Sequence, residues 1–434
     1  MGGPKFQGEN VPEGQLAREF AILEMNPWQS NPASYGRHAM NLPLKQPCLK
    51  SLVLLAGVIF APVLCAAETV ISSDSTAMLR DVQQYNFAIH ILAMLLVGFG
   101  FLMVFVQRYG YSAITGTYLV TAAGLPLYFM LRQTGVLSAE AVPMHSIKGL
   151  LLAEFAVAAA LIATGAVLGR IKLYQYILLA LLMVPVYMLN EHLVLDGGLA
   201  ITKGFVDAAG SIIIHAFGAY FGLGLAFALT TKKQRETDIP SDQTSNRFSM
   251  VGSLVLWIFW PSFCCAVVPP EQVSATAVNT ILALCGATLS TYLFSLLFSK
   301  GKVLIGDMAN AALAGGVAIG ATCNLVSAPV AFGIGVLAGA LCVIGYAFIQ
   351  SRITKTFNII DTCGVHNLHG LPGLLGGLVA IFVVPGVAKA QLAGIAITVV
   401  LALGSGIIGG VVIRAFGTKD VVYEDGDEFS NIQG

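Results

Sequence analysis

From residue 83 onward the chain reads as long apolar runs divided by short polar clusters. The runs cover roughly 83–106, 113–133, 144–169, 174–190, 205–229, 248–268, 274–298, 303–322, 327–348, 362–386 and 390–415. A helix needs about 20 such residues to cross the hydrocarbon layer of a bilayer. The pattern therefore predicts an all-α polytopic membrane protein of eleven transmembrane helices. The longest polar interruption, TKKQRETDIPSDQTSNR, falls between the fifth and sixth runs. It divides the chain into two sets of five, related as an inverted repeat, with the eleventh helix left over.

The front of the chain follows a different pattern. Residues 1–39 are polar and rich in Pro, Gly and Asn, and are expected to belong to no folded domain. Residues 40–67 have the form of a signal peptide: Lys45 and Lys50 make a basic start, Ser51–Leu64 an apolar run too short to span, and Cys65-Ala66-Ala67 a small-residue cleavage site. Translation is expected to begin at Met40 and the mature protein at Glu68. Residues 68–416 would form the membrane domain and residues 417–434 an acidic cytoplasmic tail. Alternate connections hold thirteen lysines and arginines against five on the other side, which predicts the mature N-terminus outside, the C-terminus in the cytoplasm, and a cell-membrane location.

Composition agrees with this picture and narrows it. Hydrophobic residues make up 56% of the 434 and charged ones 11%, which excludes a soluble globular chain. A formal net charge of zero offers nothing to a nucleic acid. Of eight cysteines, six lie inside apolar runs without the spacing of a disulfide framework or a zinc ribbon, and read as small buried hydrophobes. No metal or cofactor is expected.

Candidate chemistry rests on the polar residues that interrupt the runs. Ionisable groups inside a membrane are costly and tend to line a pathway. The fifth run carries DAAGSIIIHAFGAYFGLG and the tenth NIIDTCGVHNLHGLPGLLGG. Asp207 lies eight residues before His215, and Asn358 eight before His366. Counting along each helix puts His215 roughly 15 Å, and His366 roughly 10 Å or more, from opposite entrances, so the two imidazoles should meet near mid-membrane. Glycines at 218, 222, 224, 370, 373, 376 and 377 would let the two helices approach closely. Asp207 and Asp361 read as groups that satisfy loose N–H groups at span entrances, and His369 as a neighbour packing near the pore.

The stretches HAFGAYFGLG, DTCGVHNLHGLPGLLGG, FLMVFVQRYGYSA, LWIFWPSF and NAALAGGVA closely resemble the Rhesus (Rh) branch of the ammonium transporter superfamily. The resemblance runs from about Asn86 to Thr418. It implies a homotrimer with one pore per subunit, in which ammonium loses its proton at a vestibule and neutral ammonia passes a pair of hydrogen-bonded histidines. Those histidines match His215 and His366. The two stacked phenylalanines that gate the vestibule match Phe155 and Phe263, and the family aspartate matches Asp207. Glu154, beside Phe155, is a candidate acidic attractant at the mouth. The tryptophan and serine that complete an ammonium-recruiting cup in Amt proteins are replaced here by Leu195 and Val267, as the resemblance to the Rh branch implies. Expected partners are ammonia or ammonium, with methylammonium as analogue, the lipid bilayer and two further copies of the chain.

Other readings share the fold. A CO2 channel is one, although CO2 crosses lipid unaided; an ammonium sensor is another. A membrane metalloenzyme could use Cys363, His366 and His369, but the outer two lie about 9 Å apart along a helix, too far for one zinc ion. The expected protein is a channel, not an enzyme.

Overall fold

The computed structural model describes residues 75–135, 137, 146–430 and 432. The polar extension and the signal-like segment lie outside the described residues. Helices α1 (Ala77–Phe105), α2 (Gly110–Thr134), α3 (Ile147–Val167), α4 (Gln175–Val194) and α5 (Ser211–Leu229) form the first set. Helices α6 (Gln243–Cys265), α7 (Pro270–Phe298), α8 (Ile305–Ile319), α9 (Ala328–Phe357) and α10 (His366–Val383) form the second, and α11 (Ala388–Ala415) closes the bundle. Ten of these are long and apolar enough to cross a membrane, and α8 is shorter. The multi-pass architecture read from the sequence is thus present, with eleven principal helices and no strand among the described residues.

Local chemistry sets several boundaries. Ser146 caps α3 by accepting from the Gly149 N–H, and Asp242 caps α6 by accepting from Thr244 and Ser245. The Asp242 carboxyl is held below its ordinary pKa by the hydrogen bonds it receives there, chiefly those from Ser245. Helix α2 stops at Gly135, whose φ of 67° is left-handed and suits a residue without Cβ. Helix α8 is shortened by a local break at Ala312 and Leu313, between Ile305–Ala311 and Ala314–Ile319.

The packing pattern recurs with a shift of five helices. Helix α2 packs on α4 as α7 packs on α9; α3 packs on α5 as α8 packs on α10; and α1 and α6 pack on each other across the two sets. The additional helix α11 lies against α4 and α5. Long hydrophobic side chains such as Leu254, Ile258, Leu293, Phe382 and Ile408 remain exposed on the outside of the bundle. A water-soluble protein would not sustain such a surface.

The tail is held against its own chain. The N–H groups of Tyr111 and Ser112, at the start of α2, donate to the two oxygens of Asp425 at 2.9 and 2.8 Å. The Leu173 N–H donates to Glu428, and Lys419 pairs with Glu428 at 3.2 Å. Beneath this tail, Arg170 is buried in the α3–α4 connection. Its guanidinium donates to Thr362, Thr230 and the carbonyls of Ala166 and Ile360, joining the ends of α3 and α5 to the entrance of α10. Burial pulls its pKa below the ordinary value, while Tyr423 and Asp361 act in the opposite direction.

Candidate functional site

Two nine-residue turns, one from each set of five, build the site. At the entrance of α5 the sequence is DAAGSIIIH, and at the entrance of α10 it is DTCGVHNLH. Both read Asp-x-x-Gly-x-x-x-x-His. Gly210 and Gly364 take φ of 79° and 68°, a left-handed conformation that any Cβ would strain. The aspartate then folds back onto the N–H groups that a helix start leaves without partners. Ile212 and Ile213 both donate to one oxygen of Asp207 at 2.9 Å. Val365 donates to one oxygen of Asp361 and His366 to the other, at 2.9 and 3.0 Å. Each turn continues as a short π-helical stretch, Ser211–Ala216 and His366–Gly370. This wider turn is a frequent feature of functional sites. Asp207 and Asp361 therefore occupy the places expected of them.

The histidine pairing differs from the expectation. Nδ1 of His215 lies 3.3 Å from Nδ1 of His369, with the rings 5.4 Å apart and 7° from parallel. His366, the expected partner, is instead half-buried and meets the Tyr220 ring edge-on at 5.7 Å. The reason is register. His215 corresponds to the last residue of the second turn, His369, whereas His366 stands where the first turn has Ile212. Three residues of helix rotate it off the shared axis. One nitrogen of the His215–His369 contact must donate and the other accept, so the two rings carry complementary tautomers.

Aromatic rings enclose this pair. Trp260 stacks on His215 at 5.6 Å and 21°, and Phe99 on His369 at 6.5 Å and 21°. Neither residue was singled out from the sequence. Trp260 was accessible to reasoning, because it stands three residues before Phe263 and so shares its helix face; Phe99 carries no comparable signal. Phe155 and Phe263 do meet, edge to face at 4.6 Å, and Phe263 lies 6.0 Å from His215. Glu154 is not at a mouth: it is fully buried.

Cavities are arranged in series around these residues. A first one, at the starts of α1 and α3 and the end of α6, is bounded by Arg80, Lys148, Leu151 and Val267. Phe155 follows Leu151 by one helical turn. Beyond the phenylalanines, a second cavity is lined by Met94, Ala158, His215, Trp260, Phe263 and His369. A third shares Phe99, Leu102, Leu368 and His369 with the second and continues to Ile162, Gly165 and Cys363. A fourth shares Phe105, Asn310 and Cys363 with the third, and reaches Ser241, Asp307 and Gln350. His366 lines none of these four. The lining around the histidines is apolar, so a molecule there can bond to the imidazoles and to little else.

The close approach of the two turns depends on Gly373, where a Cβ would strike the Ser211 carbonyl oxygen. Gly376 and Gly377 also lie against α5, at Ser211 and Ile212, and Gly376 admits α8 as well; Gly218 and Gly222 instead admit α3, and Gly224 admits α11.

Residues 51–426 match the Ammonium Transporter Family. Ammonium transporter Rh type A of Rattus norvegicus is 40% identical over 306 residues, 69% of this chain and 66% of that one. The chain thus spans about two thirds of that relative's length. A solved structure of Rh50 from Nitrosomonas europaea, of the Rhesus protein family of channels, is 62% identical. It covers 82% of this chain and 94% of its own, with a TM-score of 0.81. A sensor Amt protein at 20% identity and a TM-score of 0.71, covering 82% of this chain and 98% of its own, shares the fold.

Proposed function

Because the chain belongs to the Ammonium Transporter Family, in its Rh branch, and is a multi-pass transport protein and not an enzyme, we propose that it conducts neutral ammonia along the series of cavities. The observation that carries this reading is the His215–His369 pair, set among aromatic rings between two apolar cavities.

Elementary energetics favours the neutral species. Moving a bare cation of ammonium size into a low-dielectric site costs on the order of 20 kcal/mol by the idealised estimate, and still several after relaxation. Removing its proton at pH 7 costs about 3 kcal/mol, for an amine pKa roughly two units above neutral. Deprotonation is the lower route. Ammonia then needs hydrogen-bond partners, which His215 and His369 supply as one donor and one acceptor face. Phe155 and Phe263 form the gate between the first cavity and the histidines. Asp207 and Asp361 support the pore by fixing the turns that carry the imidazoles. His366 packs beside the pore against Tyr220.

The reading extends to assembly and topology. The protein works as a homotrimer in the cell membrane, its mature N-terminus outside and its tail in the cytoplasm, where Asp425 and Glu428 hold the α2 and α4 entrances. Residues 40–67 act as the export signal, and amino-terminal sequencing of purified protein should begin at Glu68. The test of function is stopped-flow ammonia flux into proteoliposomes containing a pH dye, beside current recording on a supported membrane. Rapid lumenal alkalinisation with no steady current is the expected result. Flux no greater than that of protein-free vesicles would refute the proposal.

A further inference from the structure

Glu154 is a buried carboxyl with no partner among the described residues: its relative exposure is 0%, and neither oxygen receives a hydrogen bond from them. Burying such a group without partners costs several kcal/mol. Asp207 and Asp361, the other carboxyls deep in the structure near the site, each receive two backbone N–H groups. Glu154 receives none, so it is not a helix cap or a packing device of the same kind.

Its position on α3 aligns it with the residues that bound the cavities. The residues of α3 that line the two cavities around the histidines are Ala158, Leu161, Ile162 and Gly165. At about 100° per residue they fall within an arc of roughly 100°, and Glu154 falls inside the same arc. Along the axis it stands one turn before Ala158 and three residues after Leu151, which bounds the first cavity. Glu154 is not itself among the residues lining the four cavities, but its position on α3 continues the lining stripe, beside Phe155 of the Phe155–Phe263 contact. An apolar residue would fit this slot at lower cost. Retaining two oxygen acceptors there makes sense where something with N–H groups passes.

Resting on the channel reading above, we propose that the Glu154 carboxyl forms a hydrogen-bonding subsite for a small amine, ammonia or methylamine and their protonated forms, beside the Phe155–Phe263 contact. It acts before the histidines, holding the N–H groups of the permeant as it sheds its last water contacts. No covalent step is involved.

The test compares Glu154→Gln with Glu154→Leu in the full-length protein, reconstituted as for the wild type. Both initial flux and its half-saturating concentration are measured, together with thermal stability in detergent. The subsite predicts that Glu154→Leu loses at least tenfold in flux while melting no lower than the wild type. It predicts that Glu154→Gln, which keeps an acceptor oxygen, stays within about threefold. Wild-type flux in Glu154→Leu, or equal loss in both variants, overturns the subsite. Should Glu154→Leu fail to assemble, Glu154→Ala takes its place under the same criteria. Absence of flux in the wild type would instead sink the channel reading itself, so the two failures are distinguishable.

Discussion

The turn that opens α5 and the turn that opens α10 share one pattern, yet they are not interchangeable. In the first, one oxygen of Asp207 takes both N–H groups and the other has no partner among the described residues. In the second, the two oxygens of Asp361 divide the work. The first turn presents Ile212 where the second presents His366, and α5 is more enclosed than α10. The repeat thus preserves the elements that deliver an imidazole to the centre: aspartate, left-handed glycine and terminal histidine. What lies between them is free to diverge. A histidine inside the turn is not evidence of a pore role; its place in the repeated register is.

Several substitutions would sharpen or break this comparison. The largest effect on folding is expected at Gly373, where the turns touch. Gly373→Val places a branched side chain against the Ser211 backbone, and overpacking of this kind costs about 1–3 kcal/mol or more. A large fall in the yield of assembled protein on size-exclusion chromatography should result. Gly404→Val, with open space around its Cβ, should assemble normally.

The aspartates come next. Asp361→Asn must turn an amide NH2 toward a backbone N–H, since both oxygens are in use, and should cost about 1–3 kcal/mol. Asp207→Asn can keep its acceptor oxygen on Ile212 and Ile213 and place the amide where Oδ1 now has no partner among the described residues. It should be nearly neutral in thermal stability. Equal losses in the two variants would show that the difference between the turns has no energetic content.

A smaller effect is expected in the tail. Asp425→Ala removes the acceptors for Tyr111 and Ser112 at the start of α2, a loss of about 0.5–2 kcal/mol by analogy with helix caps. Faster proteolysis of the tail should accompany a modest drop in melting temperature, with the His215–His369 pair untouched.

Much of this was legible in the sequence, for reasons that differ by element. Span number and the division after α5 follow from hydropathy, which the bilayer enforces strictly. Phe155 and Phe263 were found through motifs, and the structure brings them together. The histidine pair was half-legible. The pattern Asp-x-x-Gly-x-x-x-x-His stands in both halves, but counting back from His366 to Asn358 also gives eight residues, and spacing alone does not separate the two registers. Gly364, matched to Gly210, does, because only the Asp361 frame places glycine where the backbone turns left-handed. The stacking of Phe99 on His369 was beyond reach, because a contact between distant helices leaves no periodic trace in either one. Equally hidden was the burial of Glu154, which depends on how α3 is rotated within the bundle.

The central claim is that His215 works with His369 and that His366 stands beside the pore. The most direct test is ammonia flux in reconstituted His369→Ala and His366→Ala proteins at matched density, with assembly verified for each. The account predicts at least a tenfold loss in His369→Ala, equal to that in His215→Ala, since either change leaves a buried imidazole nitrogen without its partner. It predicts less than a twofold change in His366→Ala. Wild-type flux in His369→Ala, or a large loss confined to His366→Ala, would contradict it.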